Sequence, residues 1–162
     1  FYKAPKQCAD KGRSPNLSTA SLVVIRKSRI MVVDDNPFNI IAIKGMIDHS
    51  KYDTLQASDG EECLSLVKAS IEKKEGVDII FLDCQMPILD GYETAKTLSE
   101  WMAQGTLPKV PIIGLTADPR IETKNKCLEC GMDDFAVKPM EKSQLQQTLK
   151  KWLIHQNSES IY

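Results

Sequence analysis

Residues 78–91 read Asp-Ile-Ile-Phe-Leu-Asp-Cys-Gln-Met-Pro-Ile-Leu-Asp-Gly. Four apolar residues in a row, β-branched or aromatic but for Leu82, and with no polar alternation, suit a strand covered on both faces rather than the half-solvated strand of a hairpin. The run ends abruptly on the carboxylate of Asp83. A loop carrying Pro87 follows, and then Asp90 with Glu93 three positions on, the spacing of a helix N-terminus whose cap reaches the third backbone N–H. Strand, loop and helix are thus compressed into one short segment, and a strand buried on both faces needs helices on both sides of its sheet.

The same unit recurs outward in both directions. Strands are expected at 30–33, 54–57, 78–82, 110–115 and 135–137. The first helix opens at Asn36 with Pro37 in its first turn, and the second at Ser58 with Glu61. The third runs from Asp90 to Gly105, and the fourth from Asp118 and Pro119 to Gly131. In the fifth, Leu145, Leu149, Trp152 and Leu153 fall on one face. Strands alternating with helices require parallel pairing through right-handed crossovers. The expected architecture is α/β: a doubly wound five-stranded parallel sheet in the flavodoxin-like order 2-1-3-4-5, with helices on both faces.

The chain of 162 residues, 42% hydrophobic and 27% charged, suffices for one globular domain with tails. Residues 1–27 are expected to be a basic linker, 28–155 the folded domain and 156–162 a C-terminal tail. The leader carries Lys3, Lys6, Lys11, Arg13, Arg26 and Lys27 against Asp10 alone, which leaves the remainder distinctly acidic. An acidic body argues against nucleic-acid binding through the domain itself. The apolar run Leu-Val-Val-Ile at 22–25 has no place in the repeat and is expected to dock on the surface or on a sheet edge. No apolar run reaches the ~18 residues a spanning helix needs, and no stretch reads as a signal peptide, so the expected location is cytoplasmic, whatever anchor a parent protein carries. The start at Phe1 without methionine suggests a fragment of a longer chain.

Five cysteines form no framework and are expected as reduced thiols. Cys127 and Cys130 make a lone C-x-x-C inside an expected helix. Zinc would need two further ligands, and a redox motif would open its helix, so packing is the simpler role.

In open α/β sheets chemistry collects beyond the carboxyl ends of the strands, where strand order reverses. The residues at those ends are Asp34 and Asp35, Asp83, Thr116 and Lys138. Each has an ordinary reading alone: an Asp-Asp after a strand is usually a helix cap, and a Thr or Lys-Pro is commonplace. Their joint placement at four strand ends is not. Three carboxylates in one crevice repel unless a cation compensates, and a few oxygen ligands completed by water describe Mg²⁺ or Mn²⁺. Lys138 supplies a point charge and Thr116 a hydroxyl. Around a carboxylate that can itself be the nucleophile, these groups form a device for accepting a phosphoryl group as an aspartyl-phosphate.

The strings IMVVDDNPFN (30–39), IIFLDCQMPILDGYE (79–93), PIIGLTAD (111–118) and GMDDFAVKPM (131–140) resemble receiver domains of two-component response regulators, most of all those attached to hybrid histidine kinases. The resemblance covers residues 30–154. It implies that Asp83 is the phosphoacceptor and that Asp34, Asp35, Asp83 and the backbone carbonyl of Gln85 hold the metal. It also implies that Thr116 and Lys138 contact the phosphoryl group, that the Lys138–Pro139 bond is cis, and that Phe135 is the switch aromatic. The implied donor is a phosphohistidine on a histidine phosphotransfer protein or histidine kinase domain, since neither His49 nor His155 sits in a donor context. The implied assembly is a monomer or weak dimer. Two other readings stay open. One is a receiver-like interaction module that is never phosphorylated. The other is a Mg²⁺-dependent phosphohydrolase acting through an aspartyl-phosphate, although that chemistry in the haloacid-dehalogenase family uses D-x-D, where this chain has adjacent Asp34-Asp35 and Asp83-Cys84-Gln85.

Overall fold

The computed structural model describes residues 26–153. Five strands alternate with five helices: β1 (Ser28–Val33), α1 (Pro37–Met46), β2 (Tyr52–Ala57), α2 (Gly60–Glu72), β3 (Ile79–Asp83), α3 (Gly91–Ala103), β4 (Ile112–Thr116), α4 (Ile121–Glu129), β5 (Asp134–Val137) and α5 (Lys142–Leu153). All pairings are parallel and the order is β2-β1-β3-β4-β5, as the strand patterns require. β1 and β3 run side by side with Val33 opposite Leu82, so Asp34 and Asp83 leave the sheet at the same edge.

Side chains alternate across the sheet and split the core in two. Ile30, Val32, Ile79, Phe81, Ile113 and Leu115 pack with Ile40 and Ile43 of α1 and with Leu145, Leu149 and Leu153 of α5. On the other face Met31, Val33, Ile80, Leu82 and Ile112 meet Cys63 and Val67 of α2, Ala95 and Leu98 of α3, and Cys127 of α4. Each fully buried Ile or Leu contributes about 1.5–3 kcal/mol by leaving water, so the central strands hold the fold. Of the expected face of α5, the three leucines are buried. Trp152 is only partly buried and donates its indole N–H to Asp134.

Several boundaries shift from the sequence expectation for identifiable reasons. β3 starts one residue later and includes Asp83, which registers opposite Leu115. β2 begins at Tyr52, because its first residues pair with Ser28 and Arg29. The cap of α2 is Asp59, not Ser58: its carboxylate accepts from Glu62 N–H, while Glu62 reaches back to the Ser58 N–H and hydroxyl. The capping box is real but displaced by one residue. α4 begins at Ile121, because Asp118 accepts from the Arg120 N–H and guanidinium and from the Thr123 hydroxyl, and closes a turn ahead of the helix. Gly105 and Gly131 have φ +75° and +91°, the left-handed conformation that ends α3 and α4. The run at 22–25, most of the leader and the C-terminal tail lie outside the described residues. Among those described, no helix is long and apolar enough to cross a membrane.

Candidate metal centre

Three carboxylates meet beyond the ends of β1 and β3. Each of Asp34, Asp35 and Asp83 offers an oxygen within 4.8 Å of the others. Asp34 and Asp83 are buried and Asp35 is exposed, so the cluster is walled on the protein side and open on one edge. Parallel registration of β1 with β3 produces this convergence, and the bond from Asp34 N–H to the Ala57 carbonyl fixes Asp34 beside β2 as well.

Lys138, one residue past β5, extends its ammonium to 3.0 Å from Asp83 Oδ1 and 3.3 Å from Asp34 Oδ2. It is the cation that the crowded carboxylates demand. Burial raises the Asp83 carboxyl above its ordinary value, although Lys138 and the Gln85 N–H, which donates to Asp83 Oδ1 at 3.2 Å, pull the other way. For Lys138 burial works against the charge, yet Asp83 and Asp34 outweigh it and the ammonium is held more firmly than usual. The Lys138–Pro139 peptide bond is cis.

Asp34 is the most heavily bonded acid of the three. Its Oδ1 accepts from Asn36 N–H at 2.9 Å, and the Asn39 amide lies 3.1 Å from each of its oxygens. Asn36 also caps α1, accepting from Phe38 N–H at 3.0 Å. Asn39 was legible in the sequence only as part of a matching string. The signal that could have found it is helical: a side chain in the first turn tilts back toward the N-terminus, here toward the acid that precedes the helix.

The contacts of Thr116 and Phe135 are with groups other than the carboxylates. The buried Thr116 hydroxyl accepts from Asp118 N–H at 3.0 Å. Phe135 packs against the core under α4, with the Lys124 ammonium 5.6 Å from the centre of its ring. The structure therefore brings Asp34, Asp35, Asp83, Lys138 and the Gln85 backbone together. It sets Thr116 at the end of the neighbouring strand, turned to its own loop.

Three carboxylates against one ammonium leave the cluster net negative, its donors are all oxygen, and one side is open to solvent. That chemistry fits a small hard divalent cation of the Mg²⁺ or Mn²⁺ kind. Asp34 and Asp35 line a cavity of 360 Å³ together with Pro37, Ile40, Gln56 and Ser58, whereas a cavity of 640 Å³ between α1 and α5 contains none of these strand-end groups.

Residues 30–150 match the family model described as response regulator receiver domain. Sensor protein GacS of Pseudomonas syringae pv. syringae is 30% identical over 127 residues, covering 78% of this chain and 14% of GacS. Hybrid signal transduction histidine kinase L of Dictyostelium discoideum is 33% identical over 132 residues, 82% of this chain and 8% of the kinase. Sensor histidine kinase RcsC of Salmonella typhi is 35% identical over 120 residues, 74% and 12%. The chain thus spans only a small part of the length of these relatives. Among solved structures, the Saccharomyces cerevisiae co-crystal of the histidine phosphotransfer protein Ypd1 with the receiver domain of its downstream response regulator Ssk1 contains a match at TM-score 0.71 and 28% identity, over 80% of this chain and 91% of that one. Vibrio cholerae chemotaxis protein CheY4 matches at TM-score 0.67 and 25% identity, over 78% and 99%.

Proposed function

The chain belongs to the response regulator receiver domain family of two-component signalling, and on that premise we propose that Asp83 accepts a phosphoryl group in a divalent-metal-dependent step. The observation that carries this reading is the ammonium of Lys138 held between Asp83 and Asp34 inside a three-carboxylate cluster. Asp34, Asp35, Asp83 and the carbonyl of Gln85 would hold Mg²⁺. Once bound, the ion supplies positive charge to the phosphoryl oxygens and screens the nucleophile from them.

The residues of the chain do the rest. An Asp83 carboxylate oxygen attacks phosphorus in line, the P–O bond forms as the P–N bond of a phosphoimidazole breaks, and the imidazole leaves with the electron pair. Lys138 moves from a carboxylate partner to a phosphoryl oxygen as charge develops there. Thr116 exchanges its bond with Asp118 for one with the phosphoryl group. Phe135 follows into the space vacated, and the surface of α4, β5 and α5 changes its affinity for a partner.

The proposed donor is a histidine phosphotransfer protein or a histidine kinase domain, and the proposed parent is a hybrid histidine kinase. Exposed Phe38 and Ile41, on the outer face of α1 just past the acidic pair, support the donor reading, as does exposed Ile88 in the loop after Asp83. These apolar side chains flank the site on two sides, where a protein carrying a phosphohistidine must seat. Incubation with acetyl phosphate and Mg²⁺ should give a hydroxylamine-sensitive label on the wild type and none on Asp83→Asn. Undiminished labelling of that variant would overturn the assignment.

A further inference from the structure

Asp34 and Asn39 are joined across the start of α1 by a contact that the transfer step itself does not require. The Asn39 Nδ2 group lies 3.1 Å from both oxygens of Asp34. Capping does not explain it: Asn36 is the cap residue, and its carbonyl already takes the Asn39 backbone N–H at 3.0 Å. The Asn39 side chain is left over for the acid, and helical geometry tilts it that way.

The chemistry of the donor matters. A carboxylate buried beside two others can be fixed either by a cation or by a neutral N–H donor. A second lysine or arginine here would compete with a divalent ion for the same negative charge. An amide orients the carboxylate and adds no net charge. Lys138 and the ion then divide the work of neutralisation, and Asn39 with the Asn36 N–H fixes where the Asp34 oxygens point. Groups that hold a ligand in this way typically change metal affinity about 10–100-fold when removed.

We infer that Asn39 is a positioning residue of the acidic centre, setting its affinity for a divalent cation by holding Asp34 rather than by touching the ion. The inference rests on the reading of Asp34, Asp35 and Asp83 as the metal site. It assigns to the first turn of α1 a role in loading the metal, and predicts that α1 reports metal occupancy.

The test is calorimetric or NMR titration of Mg²⁺ alone into the wild type, Asn39→Ala, Asn39→Ser, Asp34→Asn and the Asp34→Asn/Asn39→Ala double variant, each first shown to be folded by thermal melting in EDTA. Asn39→Ala is expected to weaken Mg²⁺ about tenfold. Asn39→Ser, which keeps one donor, is expected to fall between it and the wild type. In the Asp34→Asn background Asn39→Ala should cost no more than about twofold, because the group it acts through is gone. A merely structural asparagine would weaken both backgrounds alike, and that result overturns the inference. So does Mg²⁺ affinity within about twofold of wild type in Asn39→Ala while Asp34→Asn has lost it. Full affinity in Asp34→Asn would instead remove the metal-site reading, and the inference with it.

Discussion

The Lys138 ammonium sits 3.0 Å from Asp83 Oδ1, an ion pair between the last residue of β3 and the residue just past β5, two places away in the sheet. The same ammonium lies 3.3 Å from Asp34, so one cation serves two buried acids. Under the proposed function it stands where an incoming divalent ion and an incoming phosphoryl group would both act, and these would make opposite demands on it.

Lys138→Met should therefore separate the two steps. Removing a positive charge this close to the carboxylates is worth roughly one to three pK units of electrostatic preference, so Mg²⁺ affinity is expected to rise about tenfold. Labelling by acetyl phosphate is expected to fall by a factor of about a hundred, because the phosphoryl charge loses its fixed partner. Titration and labelling on the same preparation check both signs. Parallel loss of the two would mean that Lys138 supports the site only structurally.

The Asp83 carboxyl is raised by burial, against the pull of Lys138 and the Gln85 N–H, and this has a pH consequence in the metal-free protein. The folded state binds that proton more tightly than the unfolded chain does. Its contribution to stability is thus present at low pH and is lost as pH rises from the ordinary carboxylate range through the raised value. In EDTA, Asp83→Asn should gain on the wild type across that window and stay more stable at pH 7. Mg²⁺ at about a hundred times its Kd should return about 2.7 kcal/mol to the wild type and much less to the variant. Urea unfolding at pH 4, 5.5 and 7 checks the direction.

Gly91 opens α3 against the back of the loop that follows Asp83. A Cβ there would fall on the Asp83 carbonyl oxygen and 2.8 Å from Cys84 Cα, so backbone rather than a flexible side chain blocks it. Gly91→Ala is expected to cost about 1–3 kcal/mol by overpacking and to lower Mg²⁺ affinity by displacing Asp83. Gly45→Ala, where a Cβ meets nothing within 4 Å, is the control and should be neutral or stabilising.

The four described cysteines are buried and free, and burial raises the thiol of each. Cys63 is pushed up to about 12, with Asp59 and Glu62 adding to the effect of burial. At pH 8 only about one Cys63 molecule in ten thousand is thiolate. In a Cys8→Ser background a disulfide reagent should therefore leave the native protein almost unmodified for hours and titrate all four thiols promptly in urea. Rapid native labelling would contradict the packing seen here. It would fall first on Cys130, the least buried of the four.

Much of the fold can be read from single segments. The unbroken apolar run of β3 requires a sheet covered on both sides, and the strand–helix alternation then restricts pairing and order. The displaced α2 cap was not readable because Asp59 and Ser58 are equally good local candidates. The late start of α4 was not because Asp118, the better capping residue by type, closes a turn while Arg120 stands at the cap position with no side-chain bond. Which one caps depends on where the preceding strand releases the chain.

Residue type and strand-end position alone picked out Asp34, Asp35, Asp83, Thr116 and Lys138, because chemistry at a sheet edge needs side chains that leave the strands there. Their distances came only from tertiary structure. Lys138 is 104 positions from Asp34, and no local pattern says that its ammonium will bridge Asp34 and Asp83. Nor does one say that the Thr116 hydroxyl turns to Asp118, or that Asn39 reaches both Asp34 oxygens. Periodicity and strand ends are properties of one segment, so the sequence determined the architecture and the cast of acids. Contacts are properties of pairs brought together by parallel registration and helix docking, so only the folded chain decided which charge meets which.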